Sequence, residues 1–254
     1  MSMHSVDRVL SAAAVWPPVL WLALASSMAA GCSGRSGVAV CFDDDFVDQW
    51  YGQRQLFEQF GARATFAVTR FDQLDSQELE QLHDLEDDGH EIACHSLTHV
   101  DPLIYLEDHS VDEYIADEIE PAIELMEAEG FPPTSFTIPW GGQTNALVDV
   151  LFEHFEIVRG SGSLGGTQDV FYKSDDGRLI AGARLDEGWW TEAQLDAALR
   201  RAERNGSVLV LYAHRIMDES EQSHVTQASL EKALAMIDER GLPHVTLTEL
   251  LDDP

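Results

Sequence analysis

Three carboxylates in a row, Asp43-Asp44-Asp45, and two imidazoles four apart, His95 and His99, are residue types suited to gripping a divalent cation. The acids close an apolar run, Val38 to Phe42, of the kind found in a strand buried on both faces. The histidines close a second run, and their spacing predicts a helical turn with both rings on one face. One carboxylate with two neutral imidazoles is a borderline ligand set that suits zinc or a similar divalent ion, and three protein ligands leave positions open for water and substrate. Alone, an acidic triplet also reads as a solvated helix N-terminus. Both groups falling at the ends of predicted strands favours one rim that brings them together.

The elements that must do this alternate along the chain. After the first strand, Gln49 to Phe60 has helical periodicity and stops at Gly61. Ala64 to Val68 is a strand, and a helix capped by Asp75 or Ser76 runs to Glu86 and turns into the histidine strand. Ser110-Val111-Asp112-Glu113 opens a long acidic helix to about Glu129. Strand Ser135 to Ile138, helix Asn145 to Glu153, strand Glu156 to Arg159 and a glycine-rich loop from Gly160 to Gly166 follow. A strand near Leu179, a helix from Thr191, strand Ser207 to Tyr212, a helix from about Thr226 and strand Pro243 to Leu247 complete the order. Such alternation implies parallel strands with right-handed crossovers, most economically a closed (β/α) barrel with its chemistry at the C-terminal strand ends.

Three further groups fall at those ends. Pro139-Trp140-Gly141 offers backbone N–H groups to a developing oxyanion. Asp186 precedes Trp189 and Trp190, whose apolar faces suit sugar rings and suit core packing equally. Tyr212-Ala213-His214 ends the most apolar strand in an imidazole. Cys41 and Cys94, inside predicted strands, read as free core thiols.

Together these segments resemble polysaccharide deacetylases of carbohydrate esterase family 4. Phe42-Asp43-Asp44 resembles its Thr-Phe-Asp-Asp-Gly motif, and Gly89-His90-Glu91-Ile92 leading to His95-Ser96-Leu97-Thr98-His99 its paired-histidine motif. Pro139-Trp140-Gly141, Asp186 to Trp189 and Tyr212-Ala213-His214 follow in the family's order, and the likeness spans residues 37 to 250. It implies a distorted (β/α) barrel of seven or eight parallel strands and a metal, most simply Zn2+, on Asp44, His95 and His99. It further implies Asp43 as general base, His214 as general acid, Trp140 at the oxyanion, and Asp186, Trp189 and Tyr212 against substrate. The implied reaction is removal of N-acetyl groups from a hexosamine glycan. Thr137 stands where many members carry the arginine that tethers the catalytic aspartate, while Asp45, Trp140 and Tyr212 replace the family's Gly, Tyr and Leu. Two alternatives stay open: a hydrolase of O-acetyl esters or small cyclic amides on the same scaffold, and a non-catalytic glycan-binding surface lipoprotein.

The 254 residues hold 46 acids against 15 bases, a formal net charge of −31, with Lys173 and Lys232 the only lysines. Nucleic acid is thereby excluded as a natural partner, since phosphate binding needs clustered Lys and Arg. Acid excess with lysine depletion also suits a protein kept soluble in high salt. Residues 9–30 are apolar behind His4 and Arg8, in the manner of an export signal, and Ala29-Ala30-Gly31-Cys32 resembles a bacterial lipobox. The expected organisation is an export segment over 1–32 and a catalytic domain over 33–254. Membrane contact would come only through lipid at Cys32, leaving the domain on the cell envelope or, after ordinary cleavage, secreted.

Overall fold

The computed structural model describes residues 36–166, 168–173, 176–219 and 223–252. The expected export segment and Cys32 lie outside them. Among the described residues, no helix is long and apolar enough to cross a membrane.

The strands in chain order are β1 (Gly37–Asp44), β2 (Ala64–Val68), β3 (Glu91–Cys94), β4 (Ser135–Thr137), β5 (Ile157–Gly162), β6 (Phe171–Tyr172), β7 (Leu179–Arg184), β8 (Val208–Ala213), β9 (Arg215–Ile216), β10 (His224–Val225) and β11 (His244–Val245). Parallel pairing runs β1-β2-β3-β4-β5-β7-β8 and closes where β8 pairs with β1 from Gly37↔Val208 to Phe42↔Ala213. The result is the expected barrel, with seven strands in the closed ring. Its distortion has a local cause at the N-terminal end. There β11 takes the β1 edge at Val38 and Ala39 before β2 joins at Val40, and antiparallel β6 takes the β8 edge at Val208 and Leu209 before β7 joins at Leu211.

Side chains alternate faces along a strand, so one parity of β1 points outward and the other into the barrel. Val38, Val40 and Phe42 pack outward against the helices in one core; Ala39 and Cys41 share a second core with Val210 on the adjacent β8 and with Ile157 and Ile180 on β5 and β7. The outer layer centres on Trp50, Phe42, Phe57 and Phe66, with Trp50 stacked 5.2 Å from Phe66 and Phe57 edge-on to Phe42 at 5.8 Å. Each such ring contributes about 1.5–3 kcal/mol by leaving water. Both Cys41 and Cys94 are free and buried. Burial raises the Cys94 thiol to about 12 and Cys41 higher still, so both stay protonated core groups.

Two helices depart from the expected shape. Gln49 to Phe60 is split into Val47–Tyr51 and Arg54–Gln59 at Gly52. The break lets Trp50 and Phe57 enter the same aromatic cluster from different directions. The helix opened by Ser110, with its capping box formed, widens into a π-helical segment at Ile115–Ile119 before continuing as Glu120–Ala128. Pro121 explains the widening, because it lacks the N–H that an α-helical turn would direct at residue 117.

Candidate metal centre and active site

β1 ends by turning Asp43 into the lumen and placing Asp44 on the rim with φ of +92°, a conformation that non-glycine residues rarely adopt. His95 follows β3 directly and is buried. The helical turn expected for His95 to His99 is absent. Those residues form a loop that enters the left-handed region twice, at Ser96 and His99, both with φ of +64°. The two reversals bring the imidazoles together at 4.9 Å between ring centroids. Glu118, presented by the π-helical segment, fixes the loop. It accepts from the Thr98 N–H at 2.8 Å and the Thr98 hydroxyl at 2.5 Å, and its carbonyl accepts from the Leu97 N–H at 2.9 Å.

Asp44, His95 and His99 present ligand atoms all within 4.8 Å of one another. Asp44 Oδ1 is buried without a hydrogen-bond partner, yet lies 3.1 Å from His99 Nε2 and 3.7 Å from His95 Nε2. Three lone-pair-bearing atoms converging on one point fit a divalent cation. On the far side of His95, Nδ1 lies 2.7 Å from the Thr137 carbonyl and 2.6 Å from its hydroxyl. Donation to that carbonyl leaves Nε2 as the free ligand nitrogen. Protonation states agree: burial lowers His95 to about 4, keeping it neutral. Burial alone would raise the Asp44 carboxyl, but the neighbouring His99, His95 and His214 rings outweigh it and hold it at about 2. Asp45, in place of the motif's glycine, turns aside to Arg70 at 3.1 Å.

Asp43 is buried and its Oδ2 accepts a hydrogen bond from the guanidinium of Arg159, itself 1% exposed. Sequence reasoning placed Arg159 at a strand end but gave it no function. The available signal was a cation on the inward parity of β5, on the same face as Ile157 and paired with Thr137 across the β4–β5 ladder. Asp43 Oδ1 remains buried and without a partner. Removing one member of such a buried pair costs about 3–5 kcal/mol because the other charge is stranded.

The opposite wall carries His214. Asp186, 1% exposed, lies 2.6 Å from His214 Nδ1 through Oδ2, and its Oδ1 accepts from the His214 N–H at 3.2 Å. Arg184 Nε donates to the same Oδ2 at 2.6 Å. Asp186 thus stands behind the imidazole, away from the substrate contact expected of it. Burial alone would lower His214, but this hydrogen bond and the Asp43, Asp186 and Asp44 carboxylates raise it above its ordinary value.

Asp43, Asp44, His95, His99, Arg159, Arg184 and His214 line a cavity of 190 Å³ that also takes in Trp140 and Tyr212. Trp140 is 71% exposed, adopts φ of +61° and tilts over His99 with centroids 5.5 Å apart. Gly141 beside it is obligatory, since a Cβ there would fall 1.5 Å from Ser161 Oγ. The expected apolar platform at Trp189 is also displaced: it is exposed, lies outside the cavity lining and carries the Arg184 guanidinium 4.5 Å over its ring. Trp190 packs partly buried against the outer core.

Residues 30–154 match the family model described as polysaccharide deacetylase, a stretch that includes Asp43, Asp44, His95, His99 and Trp140 and stops short of Arg159, Asp186 and His214. Similar solved structures include the chitin deacetylase of the fungal pathogen Colletotrichum lindemuthianum, 18% identical over 87% of this chain and 89% of that one, with TM-score 0.59. Another is the peptidoglycan deacetylase PdaC of Bacillus subtilis, at 20% identity, 85% and 90% coverage and TM-score 0.54. A third is a family 4 acetyl xylan esterase of Clostridium thermocellum in complex with a cobalt ion, at 21% identity, 84% and 89% coverage and TM-score 0.55. At these identities the likeness establishes the shared barrel. No curated protein matches the sequence.

Proposed function

Residues 30–154 belong to the polysaccharide deacetylase family, and from that premise we propose that the protein is a metal-dependent hydrolase that removes N-acetyl groups from a hexosamine-containing glycan. The observation that carries this reading is the Asp44–His95–His99 cluster set between a buried carboxylate and a carboxylate-backed imidazole at one barrel mouth. These three residues would hold the ion, with zinc favoured by the mixed nitrogen and oxygen donors. When bound, such an ion supplies Lewis acidity, polarising the acetyl carbonyl and lowering the pKa of water.

The chain's own groups do the rest. Asp43, with one oxygen held by Arg159 and the other unpartnered, takes the proton of the attacking water through Oδ1. His214, its Nδ1 side engaged by Asp186, delivers a proton from Nε2 to the leaving amine. The Trp140 backbone N–H stabilises the oxyanion, and its exposed ring with Tyr212 flanks the sugar. The apolar stretch over residues 9–30, followed by Cys32, supports export, with the glycan met at the cell envelope.

The test is release of acetate and free amine from N-acetylglucosamine oligomers by the purified protein, before and after chelation and again after zinc is returned. Release that stops with chelation and resumes with zinc is expected. Bound zinc with acetate released only from O-acetylated xylan would move the reading to an esterase, and binding without turnover to a glycan-binding protein.

A further inference from the structure

We propose that Arg159 is the positioning residue for the base Asp43, performing from β5 the tethering that Thr137 on β4 cannot. The inference rests on the deacetylase reading above.

Thr137 and Arg159 are direct partners across the β4–β5 ladder, both on the inward parity. Neighbouring strands lie about 4.8 Å apart, so a long guanidinium from either position reaches the same layer of the lumen. Thr137 is committed elsewhere, with its carbonyl and hydroxyl both on His95 Nδ1. The lumen is shaped for the replacement. Gly182 on β7 faces the arginine stem, and a Cβ there would come 3.0 Å from Arg159 Cδ and 3.1 Å from Tyr212 Cδ1. The Tyr212 ring lies under the guanidinium, 4.5 Å from ring centroid to Cζ. A bidentate grip would occupy both carboxylate oxygens. Here Arg159 Nη2 holds only Oδ2, and Oδ1 stays buried and free to accept a proton. Arg159 acts through Asp43 by fixing where that free oxygen points.

The experiment is a pair of double-variant cycles on the purified full-length protein with Asp43→Asn, Arg159→Met, their combination and Arg159→Lys. Arg159→Met is expected to lower kcat by about 10²- to 10³-fold, within the range of a positioned proton transfer. Its KM should stay within about threefold and its zinc stoichiometry should not change, since uniform binding is untouched. Arg159→Lys should recover about a tenfold share, having the charge without the planar fork. The combined variant should turn over no more slowly than Asp43→Asn alone. Losses that multiply in the combination, or wild-type kcat in Arg159→Met, would overturn the proposal. Should Arg159→Met fail to fold, Arg159→Lys decides: a lowered kcat at constant KM supports the tether, and unchanged kcat refutes it.

A second cycle uses melting of the metal-free proteins and is independent of turnover. Each single change should lower Tm by roughly 10 °C and the combination by clearly less than the sum, as for a buried ion pair. Additive shifts would overturn the coupling. Absence of acetate release by the unmodified protein would instead count against the deacetylase reading, leaving the melting cycle to decide the pair.

Discussion

His214 has its charge controlled by the carboxylates around it. Its Nδ1 side is engaged by a buried carboxylate that also receives Arg184, and the net effect is to raise the imidazole above its ordinary 6.5. The proton is therefore held tighter in the folded state. The stabilisation is complete below the unfolded value of about 6.5 and is lost as pH rises through the raised folded value. In its proposed role as general acid, His214 would stay loaded to higher pH for the same reason. Asp186→Asn removes the charge and leaves a single, neutral acceptor oxygen, so the alkaline limb of the turnover–pH profile should move to lower pH, with smaller change at the acid end. A profile whose alkaline limb stays in place would assign that limb to another group. Asp186 was visible as an acid near a strand end, but a linear chain does not say whether a carboxylate faces solvent or an imidazole 28 residues later.

At the scale of elements, the ligand loop depends on a neighbour that sequence spacing does not suggest. Residues 95–99 leave β3 and reverse twice through left-handed backbone, each non-glycine excursion costing roughly 1–2 kcal/mol. A conformation of that cost persists only if other groups over-determine it. Glu118 does so through three contacts to Leu97 and Thr98. Its orientation comes in turn from the π-helical segment preceding Pro121. Glu118→Ala should weaken zinc binding by about 10- to 100-fold, the usual scale for losing support behind ligands. A zinc titration of the folded variant checks this, and undiminished affinity would mean that the loop holds its shape alone. The same pattern explains the wrong helical expectation: a four-residue spacing brings two side chains together on a helix, but so does a doubly kinked loop braced from outside.

Over the whole molecule, charge dominates the surface. With a net charge of −31, exposed carboxylates repel one another at distances that salt screens within about 10 Å at 0.1 M and about 3 Å at 1 M. Melting temperature should rise between low and molar sodium chloride, by several degrees if the repulsion is spread over the domain. A flat or falling curve would show that the acids are already balanced locally. Of the fifteen bases, Arg159 and Arg184 line the cavity. The closed ring places that cavity at the C-terminal strand ends, where Asp44, His95, Trp140 and His214 arrive from four separate strands.

Alternation of strands and helices and the barrel were legible in the linear chain because they depend on local period, and a carboxylate–imidazole cluster because its residue types close predicted strands; which residue is expected to take which role came from the family resemblance. Three features were decided only by tertiary structure: the Arg159–Asp43 pair, the placement of Asp186 behind His214, and Trp189 outside the cavity. Each depends on register across strands far apart in sequence. A shift of one residue between β4 and β5 would turn Arg159 to the outer face, and no local pattern within either strand encodes that register.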